Sequence, residues 1–208
     1  MRVLMVSANT EQVNMTVLPL GMACVASAVE YGGHDIRVVN LMRPEHVSRF
    51  LVPVIEKFSP EVIGISVRNI DDQNMNAPKF LLSEVKPVIA ECRSRSDSPI
   101  VLGGPGYSIF PQSVLDYLGA DFGIQGEGEW EMLELLSRLE TNEDLDGLNG
   151  LWVPGRGLMA PPFRNPRLNA YPMPDPAVHL DPRLPQIGKD TMMPFQTRRG
   201  CPMNCSYS

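Results

Sequence analysis

Basic residues are scarce in this chain. Its 208 residues hold 18 Lys and Arg against 24 Asp and Glu, for a net charge of −6, whereas a nucleic-acid-binding surface needs clustered positive charge. Long apolar runs are missing too. No stretch approaches the ~20 residues of a membrane span, and Met1-Arg2-Val3-Leu4-Met5-Val6-Ser7 turns polar too soon for a secretory signal. A cytoplasmic protein is expected. Histidine is limited to His34, His46 and His179, each expected at the surface. Cysteine is limited to four. Cys24 and Cys92 fall in helical patterns far from the pair at Cys201 and Cys205, and in a reducing compartment they are expected as small core or surface thiols, not as a bridge.

What is present is a core. Hydrophobic residues make up 43% of the chain, enough for one domain of ordinary size and a small second unit. Val3-Leu4-Met5-Val6 is a short apolar run of the kind buried on both faces of a parallel sheet. A polar loop from Ser7 to Thr16 precedes a helix over Pro19–Glu30, with proline where its missing N–H costs nothing and Gly32-Gly33 as its stop. The rhythm repeats: a strand at Ile36–Leu41, a helix over Pro44–Phe58, a strand at Val62–Val67 and a helix over Pro78–Arg93. A strand at Ile100–Leu102 closes on Gly103-Gly104-Pro105-Gly106. A helix near Pro111–Leu118, a strand at Phe122–Ile124 and a helix from Gly126-Glu127-Gly128-Glu129 to about Glu140 complete it.

Strands alternating with helices predict an α/β fold: a doubly wound, five-stranded parallel sheet of flavodoxin-like or Rossmann-like type, in the order 2-1-3-4-5. Its ligand crevice lies at the carboxyl ends of the strands, so the Ser7–Thr16 loop, Ser66–Asp72 and Gly103–Tyr107 should share one rim. Beyond residue 142 the composition changes. Leu151-Trp152-Val153 and Leu158-Met159-Ala160 flank a Gly-containing loop and predict a β-hairpin. Prolines then recur without period from Pro161 to Pro194, as in an extended linker, and a strand at Phe195-Gln196-Thr197 is expected to lead to Cys201. The chain thus divides into 1–142, 143–194 and 195–208.

Thr197-Arg198-Arg199-Gly200-Cys201-Pro202-Met203-Asn204-Cys205 carries the sharpest signal. Two cysteines four apart could be chance, or half of a zinc site that would want two more ligands. With Arg-Gly in front, the stretch resembles the opening of the Cys-x3-Cys-x2-Cys loop of radical S-adenosylmethionine (SAM) enzymes, whose thiolates hold a [4Fe-4S] cluster. The third ligand position, counted on from Cys205, is Ser208, so the chain itself is expected to be catalytically inactive. Taken with Pro19-Leu20-Gly21, Gly64-Ile65-Ser66-Val67-Arg68-Asn69, Leu102-Gly103-Gly104-Pro105 and Gly126-Glu127-Gly128-Glu129, it makes nearly the whole chain similar to the cobalamin-binding radical-SAM family.

That resemblance implies a cobalamin-binding domain ahead of a radical-SAM barrel, in a parent enzyme of methyltransferase type acting on an unactivated carbon. One SAM would methylate cobalamin, and a second would be cleaved at the cluster to a hydrogen-abstracting radical. Some such families cyclise or rearrange substrates instead. The cofactor's nucleotide tail would pass Ser66 and Gly103-Gly104, where a Cβ would obstruct it; Ser66 could equally be a strand-end hydroxyl, and the glycines a plain turn. Asn9, Thr10, Leu20, Gly21, Val67, Arg68, Asn69, Pro105, Gly106, Gly126 and Glu127 complete the implied cofactor site, with Cys201 and Cys205 as partial metal ligands. The family's Asp-x-His-x-x-Gly, which ligates cobalt from below, has no counterpart in Ser7–Thr16. Cobalt is therefore expected without a His ligand, with Arg68 or Asn69 covering its lower face. Glu127 and Glu129 suit a helix dipole. The competing reading is a non-catalytic flavin- or nucleotide-binding module of the same fold, for which Ser7 and Thr10 are thin support.

Overall fold

The computed structural model describes residues 1–8, 16–41, 46–72, 74–164, 172–180, 191–192, 194–196 and 199, with backbone only at 16–17 and 191–192. Strands β1 (Arg2–Ser7), β3 (Asp35–Asn40), β4 (Val62–Ser66), β5 (Ile100–Gly103) and β6 (Phe122–Ile124) pair in parallel in the order β3-β1-β4-β5-β6, as expected. The apolar runs dictate this. Leu4, Ile63, Ile65, Ile100 and Leu102 are at most 1% exposed, and burying each such side chain contributes roughly 1.5–3 kcal/mol.

Alternation along the strands splits the core in two. Leu4, Val6, Ile63, Ile65, Ile100 and Leu102 face the helices α2 (Val52–Phe58), α3 (Leu82–Arg95) and α5 (Pro111–Leu118). Val3, Met5, Val62 and Val101 face α1 (Leu20–Tyr31) and α6 (Glu129–Thr141). The second layer matters for function, because α1 and α6 stop short of filling it.

Several expectations need correcting. The hairpin of β7 (Leu151–Val153) and β8 (Gly157–Leu158) is not a separate unit: β7 pairs antiparallel with β6, so the sheet has seven strands. Gly103-Gly104-Pro105-Gly106 is more than a turn. Gly104 at φ 97° launches a short helix, α4 (Pro105–Ile109), with proline at its first position. The helix foreseen from Pro44 is a π-helical turn at Val47–Leu51 followed by α2. Pro53 has no N–H to continue the ladder, and the widened turn sits just ahead of it.

The proline-rich stretch also folds in part. A π-helical turn at Pro176–Leu180 buries Leu180 against Leu18 and Ala23. His179, only 3% exposed, sits between the Asp175 N–H, which donates to Nδ1 at 2.9 Å, and Glu30 Oε2, 3.0 Å from Nε2. With Nδ1 accepting, the ring proton is on Nε2 and is donated to Glu30. The histidines are thus not surface residues. His34 lies between the N-terminal amine at 3.2 Å and Glu140, its pKa held down by burial and by that amine; His46 is half-buried, edge-on to Phe50. Phe195 and Gln196 form no strand; instead β2 (Thr16–Val17) pairs in parallel with β9 (Thr191–Met192). No helix among the described residues is long and apolar enough to cross a membrane.

Candidate functional site

Ser7, Ser66 and Gly103 stand in one register row across β1, β4 and β5, at the carboxyl ends of these strands. The strand order reverses between β1 and β4, which opens a crevice there. A cavity of ≈ 670 Å³ runs from this row down the α1/α6 face, floored by Met5, Gly64 and Val101 and walled by Leu20, Gly21 and Val25 on one side and Gly126–Glu129 on the other. That volume lies within the usual span for cofactor pockets.

The glycines around the cavity do two different jobs. A Cβ at Gly104 would stand 2.6 Å from the Val67 carbonyl oxygen, and one at Gly106 2.8 Å from that of Arg68. These residues let the β5–α4 loop lie directly on the end of β4, where Gly106 N–H donates to Val67 at 3.0 Å and Val67 N–H to Gly103 at 2.8 Å. Gly64 is similarly constrained, its Cβ falling 2.6 Å from the Met5 sulfur. Gly103 and Gly21 are different. A Cβ at Gly103 would meet nothing nearer than the Ile124 carbonyl oxygen at 3.9 Å, and one at Gly21 nothing within 4 Å, yet both residues line the cavity. A side chain at either would occupy the crevice itself. This Cβ-free cradle fits a bulky, flat-sided cofactor that must pass close to backbone.

Ser108, which the sequence reading missed, ties the two loops of the crevice together. Its hydroxyl donates to the Gly104 carbonyl and accepts the Gly126 N–H, both at 3.0 Å. Gln125 Nε2 bonds the Ser108 carbonyl at 3.3 Å, and Trp152 Nε1 bonds Gln125 Oε1 at 3.0 Å. The chain of bonds runs from crevice to hairpin. Only its Ser-after-Gly-Gly spacing was visible beforehand.

The far wall is charged. Arg199 pairs with Glu129 through a short contact and approaches Glu127 Oε2 at 3.7 Å; Arg164 is 4.0 Å from the other Glu127 oxygen. Glu129 is 3% exposed, so its role goes beyond the helix-dipole one expected of it. Burial works against charge on Arg199, but its bond to Glu129 outweighs this and keeps its pKa above the ordinary value. The thiol of Cys24 also touches Arg199, and burial pushes its pKa up. Burial, aided by Glu129 and Glu127, raises Glu131 to about 7.

Of the residues read as a cofactor site, Leu20, Gly21, Ser66, Arg68, Gly103, Gly104, Pro105, Gly126 and Glu127 line the cavity together. Val67, Asn69 and Gly106 do not. Val67 is 1% exposed in the core below α3, and Gly106 is buried against the backbone of Arg68 and Asn69. Asn9, Thr10, Cys201, Cys205 and Ser208 lie outside the described residues. Among the described residues no group of three His, Cys, Asp or Glu side chains stands together as a metal site.

A doubly wound sheet with a glycine-lined crevice at its switch point defines a cofactor-binding α/β domain. The family model of the B12 binding domain matches residues 6–136, and the chain belongs to that family. It is 28% identical over 168 residues to tryptophan 2-C-methyltransferase of Streptomyces laurentii, covering 76% of this chain and 28% of that one. It is 27% identical over 217 residues to an uncharacterised methyltransferase of Pyrococcus horikoshii, covering all of this chain and 45% of that one. The radical SAM methyltransferase TsrM of Kitasatospora setae, solved with tryptophan and a SAM analogue, superposes with a TM-score of 0.70 at 28% identity, over 79% of this chain and 30% of that one. The same enzyme has been solved with cobalamin and a [4Fe-4S] cluster bound. This chain spans between about a quarter and a half of the length of these relatives.

Proposed function

We propose that the crevice holds cobalamin with its nucleotide tail in the α1/α6 cavity, as the cofactor-carrying part of a radical-SAM methyltransferase acting on an unactivated carbon. The observation that carries this is the open space at Gly103, set in register beside Ser66 and backed by the close approach of Gly104 to Val67. When bound, the corrin supplies a cobalt centre able to carry a methyl group. The chain's own residues bind and orient it. Ser66 presents a hydroxyl at the slot, Gly21 and Gly103 leave the slot clear, and Arg68, at the end of β4, covers the lower face in place of the absent histidine. Cys201 and Cys205 would contribute two thiolates to the [4Fe-4S] cluster, with a radical-SAM barrel as the partner of this domain. The residue bounds 1–142, 143–194 and 195–208 remain our division of the chain. A reducing, cytoplasmic setting is consistent with the free thiols of Cys24 and Cys92.

The test is titration with hydroxocobalamin, desalting and a visible spectrum. A retained corrin with a base-off spectrum is the expected result, and Arg68→Ala should alter that spectrum. Failure to retain corrin both by this chain and by a longer one carrying the barrel would overturn the proposal.

A further inference from the structure

The Arg199 cluster joins two parts of the sequence that composition alone keeps apart. Glu127 and Glu129 stand at the start of α6, on the wall of the crevice, while Arg199 lies 70 residues further on, two positions before Cys201. The guanidinium is held from three sides. Glu129 pairs with one terminal nitrogen, Glu127 lies 3.7 Å from the other, and the Cys24 thiol of α1 bonds it as well. The side chain of Glu129 is 4% exposed and that of Arg199 17%. An ion pair this far from water is held firmly by geometry, because separating it leaves an uncompensated buried charge. An arginine also suits such a place better than lysine, since its planar fork can serve two carboxylates at once.

We infer that Arg199 is a positioning residue: clasped by Glu129 and Glu127, it docks the segment that carries Cys201 and Cys205 at the mouth of the crevice. This rests on the reading of that crevice as the cobalamin site. Two peptide units separate Arg199 from Cys201 and reach about 7 Å at most, so the clasp sets where a thiolate at 201 can act relative to the cofactor. It also makes Arg199 part of the cavity wall, beside Pro194 and Gln196. The reacting centres of the two cofactors would then be aligned by one buried charge pair within this chain, before any contact with a barrel.

The experiment is limited trypsin digestion of the chain, following release of the peptide that begins at Gly200 by mass spectrometry. Arg164, whose side chain is 68% exposed, is the internal reference. Trypsin must take the arginine side chain into its own pocket, so a clasped Arg199 is cut slowly. We expect cleavage after Arg199 to be slower than after Arg164, and about tenfold faster in Glu129→Gln, the change produced by a loss of about 1.4 kcal/mol. Glu127→Gln should give a smaller increase. Circular dichroism verifies that each variant is folded. If Glu129→Gln does not fold, the unmodified chain and Glu127→Gln still decide. Cleavage after Arg199 as fast as after Arg164 in the unmodified chain, or equal rates in the folded variants, overturns the clasp. Hydroxocobalamin retention is measured on the same proteins without trypsin. Retention with no difference in cleavage overturns the clasp and leaves the crevice reading standing. A difference in cleavage without retention upholds the clasp and counts against that reading.

Discussion

Gly103→Val separates ligand binding from folding. Gly103 ends β5 in an ordinary extended conformation, and a Cβ there has no neighbour closer than 3.9 Å. A valine should therefore cost the fold nothing. Glycine in a strand is itself unfavourable by roughly 0.5–1 kcal/mol relative to alanine, and β-branched residues suit strands, so Gly103→Val should be as stable as the unmodified chain or slightly more so. Its two methyl groups, however, would stand in the cavity between Ser66 and Ile124, in the path of the cofactor's tail. Binding should fall by at least about tenfold, or about 1.4 kcal/mol. Gly104→Ala is the opposite case. It sits at φ 97° with its Cβ 2.6 Å from the Val67 carbonyl, so left-handed strain of about 1–2 kcal/mol and overpacking of about 1–3 kcal/mol should destabilise it by roughly 3 kcal/mol. Urea denaturation gives the stabilities, and hydroxocobalamin titration followed in the visible spectrum gives the affinities. If Gly103→Val bound corrin as well as the unmodified chain, the tail would not pass this strand end, and the placement of the site would be wrong.

Other outcomes follow from single groups. Glu131 has a folded pKa of about 7 against an ordinary 4.5, chiefly through burial. The folded state therefore holds a proton that the unfolded chain releases, so stability falls as pH rises from about 4.5 to 7 and is level above that. At about 1.4 kcal/mol per tenfold change in proton affinity, Glu131→Gln should gain roughly 3 kcal/mol at pH 8 and almost nothing at pH 4, measured by urea denaturation at both. The Tyr107 hydroxyl is buried with no hydrogen-bond partner among the described residues and lies over Gly123, so Tyr107→Phe should raise stability by about 1 kcal/mol in a thermal melt. Ser108→Ala removes the strut between Gly104 and Gly126; one lost bond of about 1 kcal/mol corresponds to roughly fivefold weaker corrin binding in the same titration, with little change in melting temperature.

Much of this architecture is local in origin. Short apolar runs separated by helical periods are enough to specify five buried parallel strands, and the right-handed crossover leaves the order β3-β1-β4-β5-β6 as the natural winding. The crevice follows from that order, which is why Ser66 and Gly103-Gly104 could be placed on it from spacing alone. Other features depended on chain segments meeting. His179 looks like a solvent-exposed residue in a proline-rich stretch, and only the docking of Pro176–Leu180 on α1 buries it against Glu30. Nothing in Leu151-Trp152-Val153 says whether a hairpin stands alone; the free edge of β6 recruits it.

The four glycines near the crevice mark the boundary between the two kinds of information. That Gly103, Gly104 and Gly106 are glycines, and that they follow an apolar run, is written in the sequence and signals a tight approach of backbone to something. What each one approaches is not written there. Gly104 and Gly106 lie against the Val67 and Arg68 carbonyls of the neighbouring strand end, whereas Gly103 and, across the cavity, Gly21 face open space. The same holds for Glu129. Its place at the head of a helix accounts for an acidic residue there, but its partner Arg199 is brought to it only by the folded chain. Local sequence determines which conformations a segment prefers, because propensity and periodicity act over a few residues. Which carboxylate meets which guanidinium, and which glycine faces a ligand and not a carbonyl, is decided by how distant segments converge, since a buried charge is stable only beside the partner that the tertiary fold delivers.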